Sequence, residues 1–503
     1  MTKAIMFQGT GSGVGKSLLT AAFCRILHQQ GIRVAPFKAQ NMALNSFVTA
    51  DGREMGRAQV YQAEACGLQP DVRMNPILMK PTGDMRSQII VMGKPVGTLS
   101  GKEYYANHHE FLEVTRSAYD SLAKEFDAIV IEGAGSPAEI NLQHRDLVNM
   151  KMAEYAKAPV ILVGDIDRGG IFAWLKGTYD LVQDHYKPLL QGYIINKFRG
   201  DKGLLQPGID QFSRIFSLPC MGVLPWFNDI TVDQEDGVHL HQSARTKPRA
   251  SIQIAILKLP RISNFTDFTP FDVETDVSVI FTNDPDILRT SDCILIPGTK
   301  NTRADLEFLH KNGLIDAIYT ANTAGKPIWG ICGGYQMLGM AVHDPNGVEG
   351  PAGSTHGIGL LPVETTMTAE KWLEQTAIPL NLPALGLDCD AHGYEIHMGK
   401  TVAKGLLQPI SLLKGAEFGA MMNDGLVLGT YLHGIFENDR VRLAFLNLLR
   451  RQKGLPERQE TVFYRAFKAQ NLNKLAEWMI TNVDMDSLMA VLNNGIHSEK
   501  SCP

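Results

Sequence analysis

The chain has 503 residues, 44% of them hydrophobic and 20% charged, and a formal net charge of −5. Domains hold roughly 100 to 200 residues, so this length excludes one ordinary core and implies two or three domains, two being the starting count, while the apolar content excludes a disordered chain. The small negative balance, with no basic block beyond short pairs such as Arg450 and Arg451, excludes a nucleic-acid footprint and leaves small molecules as the expected partners.

The seven cysteines stand singly, at 24, 66, 220, 293, 332, 389 and 502, without a CxxC pair, so neither a zinc site nor a disulfide framework is expected and a reducing cytoplasm fits. The N-terminus passes at once into the strand-like Ala4-Ile5-Met6-Phe7, without the basic and apolar regions of a signal peptide. No apolar run reaches the length of a membrane span, so neither export nor insertion is expected.

Short Ile- and Val-rich runs alternate with helical stretches up to about residue 225, the pattern of βα units on a parallel sheet. The expected strands are Ala4 to Phe7, Ile32 to Phe37, Ala128 to Ile131, Val160 to Val163, Tyr193 to Ile195 and Met221 to Leu224. Between the first strand and the helical Leu18 to Gln30 lies Gly9-Thr10-Gly11-Ser12-Gly13-Val14-Gly15-Lys16-Ser17, in the context a phosphate-binding loop requires. Glycines let the backbone N–H groups curl toward phosphate oxygens, Lys16 supplies charge and Ser17 can reach Mg²⁺. The spacing departs from the plain Walker form, which would need Gly where Thr10 stands, with Gly9 one residue early. That shifted form resembles the loop of dethiobiotin synthetase and its relatives, and ATP is the expected nucleotide.

A metal-bound phosphate needs carboxylates at neighbouring strand ends. Glu132, at the end of the strand Ala128 to Ile131, is the first candidate. Asp51, in Thr49-Ala50-Asp51-Gly52, is the second, with a plain turn as its other reading. Asp165 and Asp167 follow the strand Val160 to Val163 and read equally as ligands or helix caps.

The polar stretch Gln234 to Ala250 reads as a linker. The expected organisation is an ATP-binding domain over 1–236, a linker over 237–250, a second α/β domain over 251–440, and a helical extension over 441–503 packed on that second domain. The second series of strands is Ile252 to Leu257, Cys293 to Ile296, Pro327 to Ile331 and Val427 to Leu432. Within it, Pro327-Ile328-Trp329-Gly330-Ile331-Cys332-Gly333-Gly334-Tyr335 has the shape of a nucleophile elbow: an apolar strand, a Gly-flanked Cys, then a helix. Small neighbours relieve the crowding of such a turn, and the following N–H groups, that of Gly333 first, can stabilise an oxyanion. A thiolate needs a base, and His433 is preferred over His392 and His397 because it ends a predicted strand.

Gly330-Ile331-Cys332-Gly333-Gly334 together with Tyr431-Leu432-His433-Gly434 resembles class I glutamine amidotransferase domains of the cobyric-type subgroup. The usual class I Glu two residues after the His is absent, since Ile435 stands there, and what orients the imidazole is left open. Pro297-Gly298-Thr299-Lys300-Asn301 resembles the family's oxyanion segment, with Gly298 donating; a Pro-Gly turn is the other reading. Further motifs carry the resemblance to the cobyric acid synthase family over nearly the whole chain. They are Lys38-Ala39-Gln40-Asn41-Met42, Glu54-Met55-Gly56-Arg57-Ala58-Gln59, Asn75-Pro76-Ile77-Leu78-Met79-Lys80-Pro81, Glu132-Gly133-Ala134-Gly135-Ser136-Pro137, Asn196-Lys197-Phe198-Arg199-Gly200-Asp201 and Asn264-Phe265-Thr266-Asp267-Phe268.

The resemblance implies an α/β protein, a P-loop synthetase domain followed by a class I glutaminase domain. Its activity would be ATP- and glutamine-dependent amidation of the b, d, e and g carboxylates of a corrinoid, adenosylcobyrinic acid a,c-diamide. Asp146 and Lys38 are the candidates for orienting that substrate, Asp146 reading equally as a helix N-cap. Asn196 resembles the adenine-reading Asn of dethiobiotin synthetase. The alternatives are the a,c-diamide synthase or another P-loop amidoligase and, outside enzymes, a P-loop partition protein with a vestigial glutaminase.

Overall fold

In the computed structural model, residues 2–83, 85–227, 247 and 250–496 are described. They group into two units, one within Met1–Met42, Met55–Val232 and Lys468–Pro503, the other within Ala43–Glu54 and Asp233–Phe467. Most of the expected linker over 237–250 lies outside the described residues.

The first unit is built on six parallel strands in the order Cys220–Pro225, Leu190–Phe198, Val160–Asp165, Lys3–Gly9, Ala128–Glu132, Val34–Phe37. The central strands are apolar on both faces, as a sheet covered by helices requires. Pairing of Phe7 with Glu132, Gly9 with Val163 and Asp165 with Asn196 brings Gly9, Glu132, Asp165 and Asn196 to one carboxyl edge of the sheet. The helix Lys16–Gln29 buries Leu19, Phe23, Ile26 and Leu27 and stops before Gly31, whose φ of 77° is the left-handed setting a helix terminator needs.

Two features of this unit escape the βα pattern. A four-stranded sheet, Gln40–Met42, Ile77–Gly83, Arg86–Val91 and Lys94–Ser100, is interposed between the second strand and its return helix. The C-terminal helices also correct the expectation for 441–503. Asp439–Gln452 does bury Val441, Phe445, Leu446 and Leu449 in the second unit's core. From Lys468 onward, however, the chain belongs to the first unit, where Leu472, Leu475, Trp478, Met479, Leu488 and Leu492 join the core that holds Phe7 and Phe23. Helical spacing shows that a face is apolar but not which core receives it. Gly222 marks the contact, since a Cβ there would lie 2.5 Å from the Asn482 carbonyl oxygen. Ala43–Glu54 likewise groups with the second unit rather than with the first, where 1–236 was expected to stay together.

The second unit has seven strands in the order Val277–Thr282, Ile252–Leu257, Cys293–Ile296, Ile328–Ile331, Val427–Thr430, Gly419–Met422, Gln408–Pro409. The first five are parallel, and Gly419–Met422 pairs antiparallel with both of its neighbours. A long hairpin, Val363–Leu382 with Leu387–Ala403, pairs Gln375 with Tyr394 and Trp372 with His397. Among the described residues no helix is long and apolar enough to cross a membrane.

Candidate active site

Cys332 leaves the strand Ile328–Ile331 and enters the helix Gly333–Leu338 with φ 55° and ψ −110°, a setting that costs a non-glycine residue roughly 1–3 kcal/mol. Close packing compels the turn. A Cβ on Gly334 would come within 2.0 Å of the Ile296 carbonyl oxygen, and one on Gly330 within 2.4 Å of the Gly334 oxygen. The backbone N–H of Cys332 donates to Thr430 O at 2.7 Å, and its thiol donates to Ile396 O at 3.3 Å.

His433 is buried three residues past the neighbouring strand Val427–Thr430, in a β-bridge with Tyr394. Its Nδ1 lies 2.7 Å from Asp267 Oδ2, while Asp267 Oδ1 accepts from the Gly434 N–H at 2.9 Å. Asp267 therefore occupies the orienting place that Ile435 leaves vacant. Its motif was evident in the sequence, its role was not. Among the described residues Nε2 has no hydrogen-bond partner, and it is the ring nitrogen turned away from Asp267. Burial disfavours charge on the imidazole, but Asp267 and the Cys332 sulfur outweigh it and raise its pKa to about 10. Of the rival histidines, His397 is stacked on Tyr431 with ring centroids 3.7 Å apart, and His392 is exposed, tied through its backbone to Asn438. Gly298 and Gly333 both border the pair: a Cβ on Gly298 would lie 3.5 Å from His433 Cε1, and one on Gly333 3.0 Å from Thr299 N.

In the first unit, the loop from Gly9 to Ser17 joins the central strand to its helix. Thr10 N donates to Val163 O at 3.0 Å. Gly15 has φ 105°, and a Cβ there would lie 2.2 Å from Asn196 Nδ2, so only glycine fits. Asn196 itself holds the loop, donating to Val14 O at 2.8 Å and accepting from Lys197 N at 2.8 Å. Lys197, absent from the expected set, donates to Gly13 O at 2.6 Å and pairs with Asp165 at 2.8 Å. Asp167 pairs with Arg199. The Lys16 ammonium reaches Gly11 O at 2.9 Å and Gly135 O at 3.1 Å.

Glu132 is the hub beneath this loop. Its Oε1 accepts from Ser17 Oγ at 2.8 Å and from Lys38 Nζ at 2.9 Å, and its Oε2 from Gln62 Nε2 at 2.6 Å. Burial pushes its carboxyl up, but Lys38, Gln62 and Ser17 together hold it below the usual range and so ionised. Lys38, expected to orient substrate, instead has its ammonium on Glu132 in a buried pair. Lys38→Met should therefore cost about 3 kcal/mol of stability by stripping a buried carboxylate of its counter-charge. Urea unfolding would show it, and Lys38→Met/Glu132→Gln should recover most of the loss. Asp51 accepts from Thr49 and pairs with Arg53 at 3.1 Å in the segment that groups with the second unit, the behaviour of a turn carboxylate.

The two halves of the chain match two families. Residues 5–240 match the CobQ/CobB/MinD/ParA nucleotide binding domain, and residues 253–441 the CobB/CobQ-like glutamine amidotransferase domain. The cobyric acid synthase of Dehalococcoides mccartyi is 46% identical over 99% of this chain and 99% of its own. That of Salmonella choleraesuis is 46% identical over 98% of this chain and 99% of its own. The chain belongs to the cobyric acid synthase family. It is thus a glutamine-dependent amidotransferase of α/β architecture, with a nucleotide-binding domain preceding the glutaminase domain.

This member of the family carries a cavity of about 490 Å³ within its first unit, walled by Met42, Met79, Leu99, Tyr104 and Tyr105 and bordered by Ala134, Gly135, Ser136 and Asp146. Gly135 is the residue whose carbonyl holds Lys16, so the cavity opens beside the phosphate loop. Asp146 accepts from the N–H groups of Val148 at 3.0 Å, Asn149 at 2.8 Å and Lys151 at 3.2 Å. It therefore braces the turn that leads into the helix Met150–Tyr155, whose N-cap is Asn149, while lining the cavity.

Proposed function

We propose that the chain converts the b, d, e and g carboxylates of adenosylcobyrinic acid a,c-diamide to amides in cobalamin biosynthesis, using one ATP and one glutamine for each, in the cytoplasm. The observation that carries this reading is the presence in one chain of a buried Cys332, His433 and Asp267 set and a phosphate loop whose lysine holds Gly135, a residue that borders a mostly apolar cavity. Full-length identity to relatives named cobyric acid synthase supports it. The a,c-diamide synthase reading is the runner-up.

In the glutaminase, the Cys332 sulfur attacks the side-chain amide carbon of glutamine, and the N–H groups at Gly298 and Gly333 receive the oxyanion. His433 passes a proton to the departing ammonia, and water then releases glutamate from the thioester. Asp267 keeps the imidazole in one tautomer throughout, because only Nδ1 faces its carboxylate.

In the synthetase, Lys16 and the loop from Gly9 to Ser17 grip the ATP phosphates, and Asn196 is the adenine-side residue. The γ-phosphoryl passes to a carboxylate oxygen seated in the cavity, ADP departs, and ammonia displaces phosphate from the acyl carbon to leave the amide. Ser17 Oγ and Glu132 Oε1, 2.8 Å apart and ionised on the acid side, are hard oxygen donors that would hold Mg²⁺, which neutralises phosphate charge when bound. The methionine walls suit four successive poses of one acceptor, since Met side chains repack at little cost.

Purified protein given the a,c-diamide, ATP and either glutamine or ammonium should yield four successive amidations by mass spectrometry. Product from cobyrinic acid that stops at the a,c-diamide would instead establish the runner-up.

A further inference from the structure

We propose that residues Ala43–Glu54, which precede the second unit by some two hundred positions in sequence, form a positioning strap for the glutaminase pair, an inference that rests on the glutaminase reading of Cys332. The strap lies against the hairpin strand Leu387–Ala403, and two residues of that strand touch the pair. Tyr394 lays its ring parallel to the His433 imidazole, with centroids 5.1 Å apart and planes 15° apart. The same two residues exchange backbone hydrogen bonds, His433 N to Tyr394 O at 2.9 Å and Tyr394 N to His433 O at 3.2 Å. Two residues on, Ile396 O accepts the Cys332 thiol at 3.3 Å.

Behind these contacts the strap makes its own. Phe47 packs on Tyr394 with ring centroids 4.9 Å apart, and Val48 joins Tyr394 and Ile396 in a small buried cluster that also takes in Leu373. The Tyr394 hydroxyl donates to Ser46 O at 3.2 Å, and Ser46 N donates to Asn264 Oδ1 at 3.0 Å. Asn264 in turn sets its amide nitrogen 3.4 Å from His433 Nδ1. At its far end the strap is moored by the buried Glu54–Lys371 pair and by Gln375, which donates to Val48 O.

A long two-stranded ribbon is marginal by itself and needs a packed face to stay in place. The strap supplies that face where the ribbon carries Tyr394 and Ile396. Its contacts run to Tyr394, Ile396 and Asn264, and through these it acts as a positioning element for the pair. Glutaminase geometry tolerates little displacement, since an error near 1 Å can cost about a hundredfold in rate.

The test is steady-state kinetics of full-length Phe47→Ala and Phe47→Leu beside wild type and Cys332→Ser, with glutamine and with ammonium as the nitrogen source. Phe47→Ala should lower kcat with glutamine about tenfold while leaving KM for glutamine and ammonium-supported synthesis within about twofold, and Phe47→Leu should restore most of the loss. Unchanged glutamine turnover in Phe47→Ala beside an inactive Cys332→Ser overturns the strap and leaves the glutaminase reading standing. An equal fall with both nitrogen sources also overturns it, as does loss in Phe47→Leu equal to that in Phe47→Ala. Should Phe47→Ala fail to fold, Tyr394→Phe removes only the hydroxyl that reaches Ser46, and the same split between glutamine and ammonium decides.

Discussion

Cys332→Ser should reduce glutamine-supported amide synthesis by about 10³-fold or more while ammonium-supported synthesis stays near wild type. The substitution keeps the Cβ and the size of the side chain, so the positive-φ turn held by Gly330 and Gly334 has no new clash to relieve. What is lost is the sulfur nucleophile, which a hydroxyl in the same place replaces poorly. The phosphate loop belongs to the other unit, where its lysine and serine bond Gly11, Gly135 and Glu132. Equal loss with glutamine and ammonium would sink the division of labour between the two halves. Retained glutamine turnover would remove Cys332 from the chemistry.

The second large effect should follow from Asp267→Asn, which leaves size unchanged but removes the charge 2.7 Å from His433 Nδ1. An amide nitrogen turned toward Nδ1 selects the wrong tautomer, and losses of about 10² to 10⁴ in kcat are expected, again with glutamine alone. Stability should respond as well. The folded-state pKa of His433 is raised to about 10 by Asp267 and Cys332 against the pull of burial, so its contribution is fully present below the unfolded value near 6.5 and fades as pH rises through 10. The difference in unfolding free energy between wild type and Asp267→Asn should therefore be greatest near pH 6 and shrink on the alkaline side. A pH-independent difference would mean that the carboxylate acts through the Gly434 N–H alone.

The parts of the site that depend on neighbours in the chain were legible. Glycines that free the backbone, a lysine and serine opening a helix, and a cysteine between an apolar strand and small residues each state their geometry within about ten positions. The strands themselves followed the same logic, because short apolar runs alternating with helical stretches mark βα units on a parallel sheet. Asp267 was visible as part of a motif, but its partner is 166 positions away, and no local signal states that distance. Glu132 was chosen as a strand-end carboxylate, yet its pairing with Lys38 and Gln62 emerged only when three segments met. Asp146 and Asp51 show the reverse: both bind local partners, as their sequence context already allowed.

By itself, then, the sequence determined the two α/β halves, the phosphate loop and the Cys332 elbow, because turn chemistry, helix starts and strand periodicity act over short range. Only the tertiary structure decided which core received Leu475 and Trp478, which carboxylate faced His433, and that Ala43–Glu54 lies beneath Tyr394. Those outcomes depend on apolar burial, which is non-directional and takes any surface of the right shape, so they are settled by packing among distant segments rather than by any one of them.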